Sequence, residues 1–110
     1  MSNVIDIKKL EKNSIILLET KDTVFEIAVT GPRTGMLIIS GGILFIRPTK
    51  VKITGTIKRG RPVKLSYTEK DESHRFSTSE VISATVFGPN KSWRYDAIEP
   101  EEKNENTDKA

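Results

Sequence analysis

Between residues 14 and 87, apolar residues tend to fall on every second position, and turn formers interrupt them every 8–12 residues. That period belongs to strands, whose side chains point alternately to the two sides of a sheet. Residues 14–20 and 23–29 read as strands around a turn at Lys21-Asp22. In the second strand, Val24, Glu26 and Ala28 face one way and Phe25, Ile27 and Val29 the other. Residues 36–39 and 43–47 flank Gly41-Gly42, which marks a sharp bend in one strand or a tight turn between two. Pro48 is expected to stop pairing, and residues 51–58 to resume it. The only helical piece predicted is one or two turns over residues 6–12. Residues 69–73 read as a charged loop, followed by strands over 75–79 and 81–87. Gly88-Pro89-Asn90 ends the last of these, and Trp93 and Tyr95 close the domain.

Val51, Ile53, Gly55 and Ile57 alternate with polar residues, as do Val63, Leu65 and Tyr67. A loop over residues 58–62 pairs Ile57 with Val63, Gly55 with Leu65 and Ile53 with Tyr67. That register keeps one face of the hairpin apolar. Its other face carries Lys52, Thr54, Thr56, Lys64, Ser66 and Thr68.

Together these elements predict an all-β, single-domain fold of six to eight short antiparallel strands, a small barrel or sandwich. A closed or partly closed barrel is the favoured form, because closure removes exposed sheet edges. The body is assigned to residues 1–97. Residues 98–110 are expected to be a disordered acidic tail, since they offer almost no apolar surface.

Composition narrows the chemistry. The 110 residues include no cysteine and one histidine. Disulfides, thiolate metal sites and a cysteine nucleophile are thereby excluded, and little remains for proton transfer near neutrality. No catalytic residue, metal ligand or cofactor is expected. His74 stands beside Asp71, Glu72 and Ser73. In a charged loop nothing rigid would hold them as a catalytic group. The start of the chain lacks the basic and apolar blocks of a secretory signal. No apolar run approaches the roughly 20 residues of a spanning helix. The expected setting is cytoplasmic, away from membranes.

Charge is strongly segregated. Residues 27–68 hold eight bases and no acid, whereas residues 96–110 hold six acids and two lysines. Such a block predicts an acidic partner, either a protein or a nucleic acid. The residues proposed to meet it are Arg47, Lys50, Lys52, Lys58, Arg59, Arg61 and Lys64, joined by Trp93 and Arg94 from the basic–aromatic stretch Lys91-Ser92-Trp93-Arg94-Tyr95. Trp93 reads otherwise as a plug over the open end of a barrel. Of seven aromatics, Phe25, Phe45 and Phe87 are assigned to the core and Tyr67 to the apolar hairpin face. Phe76, Trp93 and Tyr95 remain as possible base-stacking platforms.

Arg59-Gly60-Arg61-Pro62 resembles the AT-hook, a short DNA-binding motif built on Arg-Gly-Arg-Pro. The resemblance covers about seven residues and no whole-chain family. It implies that both arginines lie along a narrow, A·T-rich minor groove, whose concentrated negative potential attracts them. Here Lys58 precedes the core, and the motif sits between strand-like segments. The alternative is a solvent-exposed hairpin tip. Gly31-Pro32-Arg33-Thr34-Gly35, with Gly41-Gly42, is read as structural turns, because a phosphate cradle normally needs a following helix and none is predicted. The leading functional expectation is a non-catalytic interaction or accessory module. The alternative is a nucleic-acid-binding protein using the basic 47–64 face and the Arg59–Arg61 loop.

Overall fold

The computed structural model describes residues 3–43 and 45–100. Ten strands follow in chain order: β1 (Val4–Ile5), β2 (Ile15–Thr20), β3 (Val24–Gly31), β4 (Met36–Gly41), β5 (Phe45–Ile53), β6 (Ile57–Lys58), β7 (Lys64–Glu69), β8 (Glu72–Ser77), β9 (Val81–Phe87) and β10 (Arg94–Ile98). Eight of them form one antiparallel sheet in the order β10-β9-β2-β3-β4-β5-β7-β8, and β1 pairs with β6 as a separate ribbon. The all-β class is as expected. A single turn of 3-10 helix, Ile7–Lys9, stands where one short helical piece was predicted, capped by the Asp6 carboxylate. No helix among the described residues is long and apolar enough to cross a membrane.

The barrel is not closed. β10 and β8 are the two ends of the large sheet and do not pair with each other. The sheet instead folds over its own inner face, like a sandwich. Phe76 on β8 meets Phe25 on β3 edge-on, with ring centroids 6.5 Å apart. In a flat sheet, four strand steps would separate them by about 19 Å. Phe45 on β5 sits between, in edge contact with Phe25, Phe76 and Tyr67. Into this fold point Ile16, Leu18, Ile27, Val29, Leu37, Ile39, Val51 and Val86, all nearly solvent-free. Ile5 and Ile57 bring the β1–β6 ribbon onto the same core.

The hairpin register differs from the sequence reading. Ile53 opposes Leu65, not Tyr67, and Ile57 leaves the sheet to oppose Ile5. Alternation settles which face a residue occupies but is blind to a slip of two. Ribbon pairing decided the slip, because β1 offered Ile57 a partner. Pro48 does not stop β5. It lies in a bulge where Ile39 opposes Thr49 and Gly41 opposes Phe45, so it owes the ladder no donor. Gly41 ends β4 and Gly42 opens a tight turn between two strands. A Cβ on Gly41, at φ +132, would lie 2.5 Å from the Val24 carbonyl oxygen. The loop expected at 69–73 shrinks to Lys70-Asp71, both at positive φ as a two-residue hairpin turn requires. His74 therefore stands in β8, stacked on Tyr67 with centroids 5.2 Å apart.

At the C-terminal end, β10 runs through Ile98, one residue beyond the boundary drawn from sequence. Ile98 is 1% exposed and belongs to the core. The remaining tail assignment, residues 101–110, lies outside the described residues. Ile98→Ala should cost about 3 kcal/mol of unfolding free energy, the usual loss for a buried Ile truncated to Ala. Urea titration followed by Trp93 fluorescence measures it; a loss under about 1 kcal/mol would place Ile98 outside the core.

Candidate interaction surface

Among the described residues the outer face of the large sheet carries no second layer. Its residues can be followed by register. Lys52 opposes Ser66, and Ser66 opposes Arg75. Lys50 lies two positions from Lys52 on β5, and Lys64 two from Ser66 on β7, so all share this face. Burial confirms the assignment, because Val51, Ile53 and Leu65 alternate with them as core residues. The strands β5, β7 and β8 thus present Lys50, Lys52, Lys64 and Arg75 among Thr54, Ser66, Thr68, Ser73 and Ser77, with no carboxylate between. Among the described residues none of the four cations has an ion-pair partner. Closely spaced uncompensated cations raise the local potential and attract anions.

Across the rest of the face the character changes. Lys50 opposes Ile38, Ile38 opposes Ala28, Ala28 opposes Ile15, Ile15 opposes Phe87 and Phe87 opposes Arg94. Phe87 is therefore not in the core. Val86 takes the inward position on β9, and the Phe87 ring lies outside under the Lys91 ammonium (6.0 Å) and the Arg94 guanidinium (5.8 Å). Such distances fit cation–π attraction. Arg94 also pairs with Asp96 at 3.7 Å. It stands five strand steps from Lys50, about 24 Å along the sheet.

The predicted set is thus divided. Lys50, Lys52 and Lys64 come together. Arg47 is exposed in the β5 bulge, and Lys58 is exposed on the β1–β6 ribbon. Trp93 lies on the opposite side of β10 from Arg94. Its indole covers Gly88, where a Cβ would meet the ring at 2.4 Å, and it stacks on Tyr95 at 5.8 Å. With no barrel mouth to fill, it is not a plug. Phe76, expected to be free, packs against Phe25 and Phe45. Among the described residues no exposed aromatic accompanies Lys50, Lys52, Lys64 and Arg75. Arg75 was missed because its segment is neutral overall, although the alternation of Ser73, Arg75 and Ser77 with His74 and Phe76 carries the signal.

The Arg-Gly-Arg-Pro segment is not a free hairpin tip. It runs beside the start of β9, where the Gly60 N–H donates to the Val81 carbonyl at 2.9 Å and the Val81 N–H donates to the Arg61 carbonyl at 3.1 Å. Arg59 is half-buried, its backbone N–H donates to Asn3, and its guanidinium donates to the Glu99 carbonyl at 3.0 Å. Arg61 is exposed. The two arginines that the AT-hook resemblance treats alike therefore have different surroundings.

Among the described residues no group of His, Asp and Glu is placed to hold a metal ion. Comparison with known protein families, curated proteins and solved structures finds no match to this chain. What the fold defines is a class: a small, open, sandwich-like β-domain, here with Lys50, Lys52, Lys64 and Arg75 exposed on one part of its outer sheet face. Arg59→Ala should cost about 1 kcal/mol through loss of the Glu99 contact, and Arg61→Ala nearly nothing. Parallel denaturation curves check this, and equal costs would contradict the asymmetry.

Proposed function

We propose that this protein is a non-catalytic interaction module that docks an acidic protein surface through the outer face of β5, β7 and β8. The observation that carries the reading is the acid-free cluster of Lys50, Lys52, Lys64 and Arg75 on three adjacent strands. Loops are not needed to assemble it, so the cations are presented on a rigid frame. Such a face speeds encounter with an acidic partner and fixes orientation more than it adds affinity. The lack of cysteine suits a reducing setting such as the cytoplasm.

A second reading is favoured by one feature. Ser66, Thr68, Ser73 and Ser77 interleave with the cations, a set of groups suited to phosphate oxygens. On that reading the partner is a nucleic-acid backbone, held without base stacking because the exposed aromatic pair Trp93–Tyr95 lies elsewhere.

Substituting all four cations by Ala should leave the fold intact, since each side chain is exposed on the sheet surface. Binding of the unmodified chain to polyglutamate and to duplex DNA, measured by fluorescence anisotropy across a salt series, ranks the two partners. The fourfold variant should lose most of its binding to the preferred partner. If that partner is DNA, the log–log salt slope should fall by roughly four. Absence of salt-dependent binding to either polyanion at micromolar protein would overturn the proposal.

A further inference from the structure

We propose that a cavity at the end of β5 is a binding site for a compact phosphate monoester. It has a volume of about 510 Å³ and is bounded by three separate pieces of chain: Asp6, Ile7 and Lys8; the loop 32–35; and Lys52, Ile53, Gly55 and Thr56. That volume falls within the roughly 300–1,000 Å³ of small-molecule clefts.

Charge selects the ligand class. Lys8, Arg33 and Lys52 line the cavity, against the single carboxylate of Asp6. That carboxylate is already engaged, accepting the Lys8 backbone N–H at 3.1 Å as the cap of the 3-10 turn. The lining thus carries an excess of two positive charges, which a phosphate monoester near −2 neutralises and a single carboxylate does not. Arg33 offers a planar fork suited to two phosphate oxygens, and Thr34 and Thr56 add hydroxyls. Pro32 contributes apolar surface at the cavity, over the nearly buried Ile7 and Ile53.

The backbone of the loop that brings Arg33 is pinned against the end of β5, while the side chains of Lys8, Arg33 and Lys52 are exposed. Thr34 N–H donates to the Gly31 carbonyl at 3.2 Å, and Ile53 N–H donates to the Gly35 carbonyl at 2.9 Å. At Gly35 a Cβ would stand 2.8 Å from the Ile53 carbonyl oxygen, so the loop lies tight against the end of β5. This is the Gly-Pro-Arg-Thr-Gly run whose local sequence supports only turns. Lys8 and Lys52 line the same cavity from distant segments and add cations where no helix terminus follows the loop. Lys52 also belongs to the outer face, but Lys8 and Arg33 do not, so the site stands whether or not that face docks a partner.

The test is a titration of the 15N-labelled full chain with ribose 5-phosphate, inorganic phosphate and ribose. Ribose 5-phosphate and inorganic phosphate should shift the amides of Lys8, Arg33, Thr34, Gly55 and Thr56, and ribose should not. Arg33→Ala should weaken ribose 5-phosphate binding roughly tenfold, the loss of a charge-assisted pair. Lys8→Ala should weaken it several-fold, and Lys64→Ala and Arg75→Ala should leave it unchanged. Should Arg33→Ala fail to fold, Arg33→Lys keeps the charge and removes the fork, and should still weaken binding. The proposal is overturned if about 10 mM ribose 5-phosphate, a concentration that would reveal even a site of millimolar Kd, shifts none of these amides. It is also overturned if Lys8 and Arg33 variants bind like the unmodified chain, or if Lys64→Ala and Arg75→Ala weaken binding as much.

Discussion

A broad sheet with one apolar face and, among the described residues, no α-helix to cover it must bury that face against itself. That constraint organises this molecule. Burying a Leu, Ile or Val side chain is worth about 1.5–3 kcal/mol, and most of the core residues come from the inner face of the large sheet. Only a fold-over places β8 within reach of β3, which the Phe25–Phe45–Phe76 cluster records. The gap between the sheet's two ends is spanned by residues 57–63. They pair with β1 at one end, contact Val81 in the middle and receive Thr78 N–H on the Val63 carbonyl at the other.

Two consequences reach the surface. The segment 57–63 is structural, so Arg59-Gly60-Arg61 is drawn into backbone pairing instead of standing free. And because the inner face absorbs the apolar residues, the outer face of β5, β7 and β8 is left to cations and hydroxyls. The cationic face is the other side of the same alternation that fills the core.

The two sites proposed meet at Lys52 and differ in scale. One is a flat, rigid display of charge for a macromolecule. The other is a concave junction of a turn, a loop and a strand end for a small dianion. Their separation in residues, Lys64 and Arg75 against Lys8 and Arg33, makes them separable by substitution.

The sequence alone determined what alternation, turn chemistry and composition encode. It placed β2, β3, β4, β7 and β9 to within about two residues, assigned Lys52, Thr54, Lys64, Ser66 and Thr68 to a face opposite Val51, Ile53, Val63 and Leu65, and marked the acid-free block. These are local properties of period two and of Gly, Pro and charge. What required the tertiary structure was everything set by long-range pairing. Ile57 slipped out of its hairpin because β1 competed for it. Pro48 survived inside a strand because a bulge freed its position. Phe87 turned outward because Val86 took the inward site on β9. Ile98 entered the core because β10 found β9. Arg75 joined Lys52 through Ser66, and Arg33 joined Lys8 and Lys52, because strands and turns distant in sequence became neighbours in space. A single chain's pattern states which side a residue faces. Which residue stands beside it is decided by the competition among all possible partners for the same core.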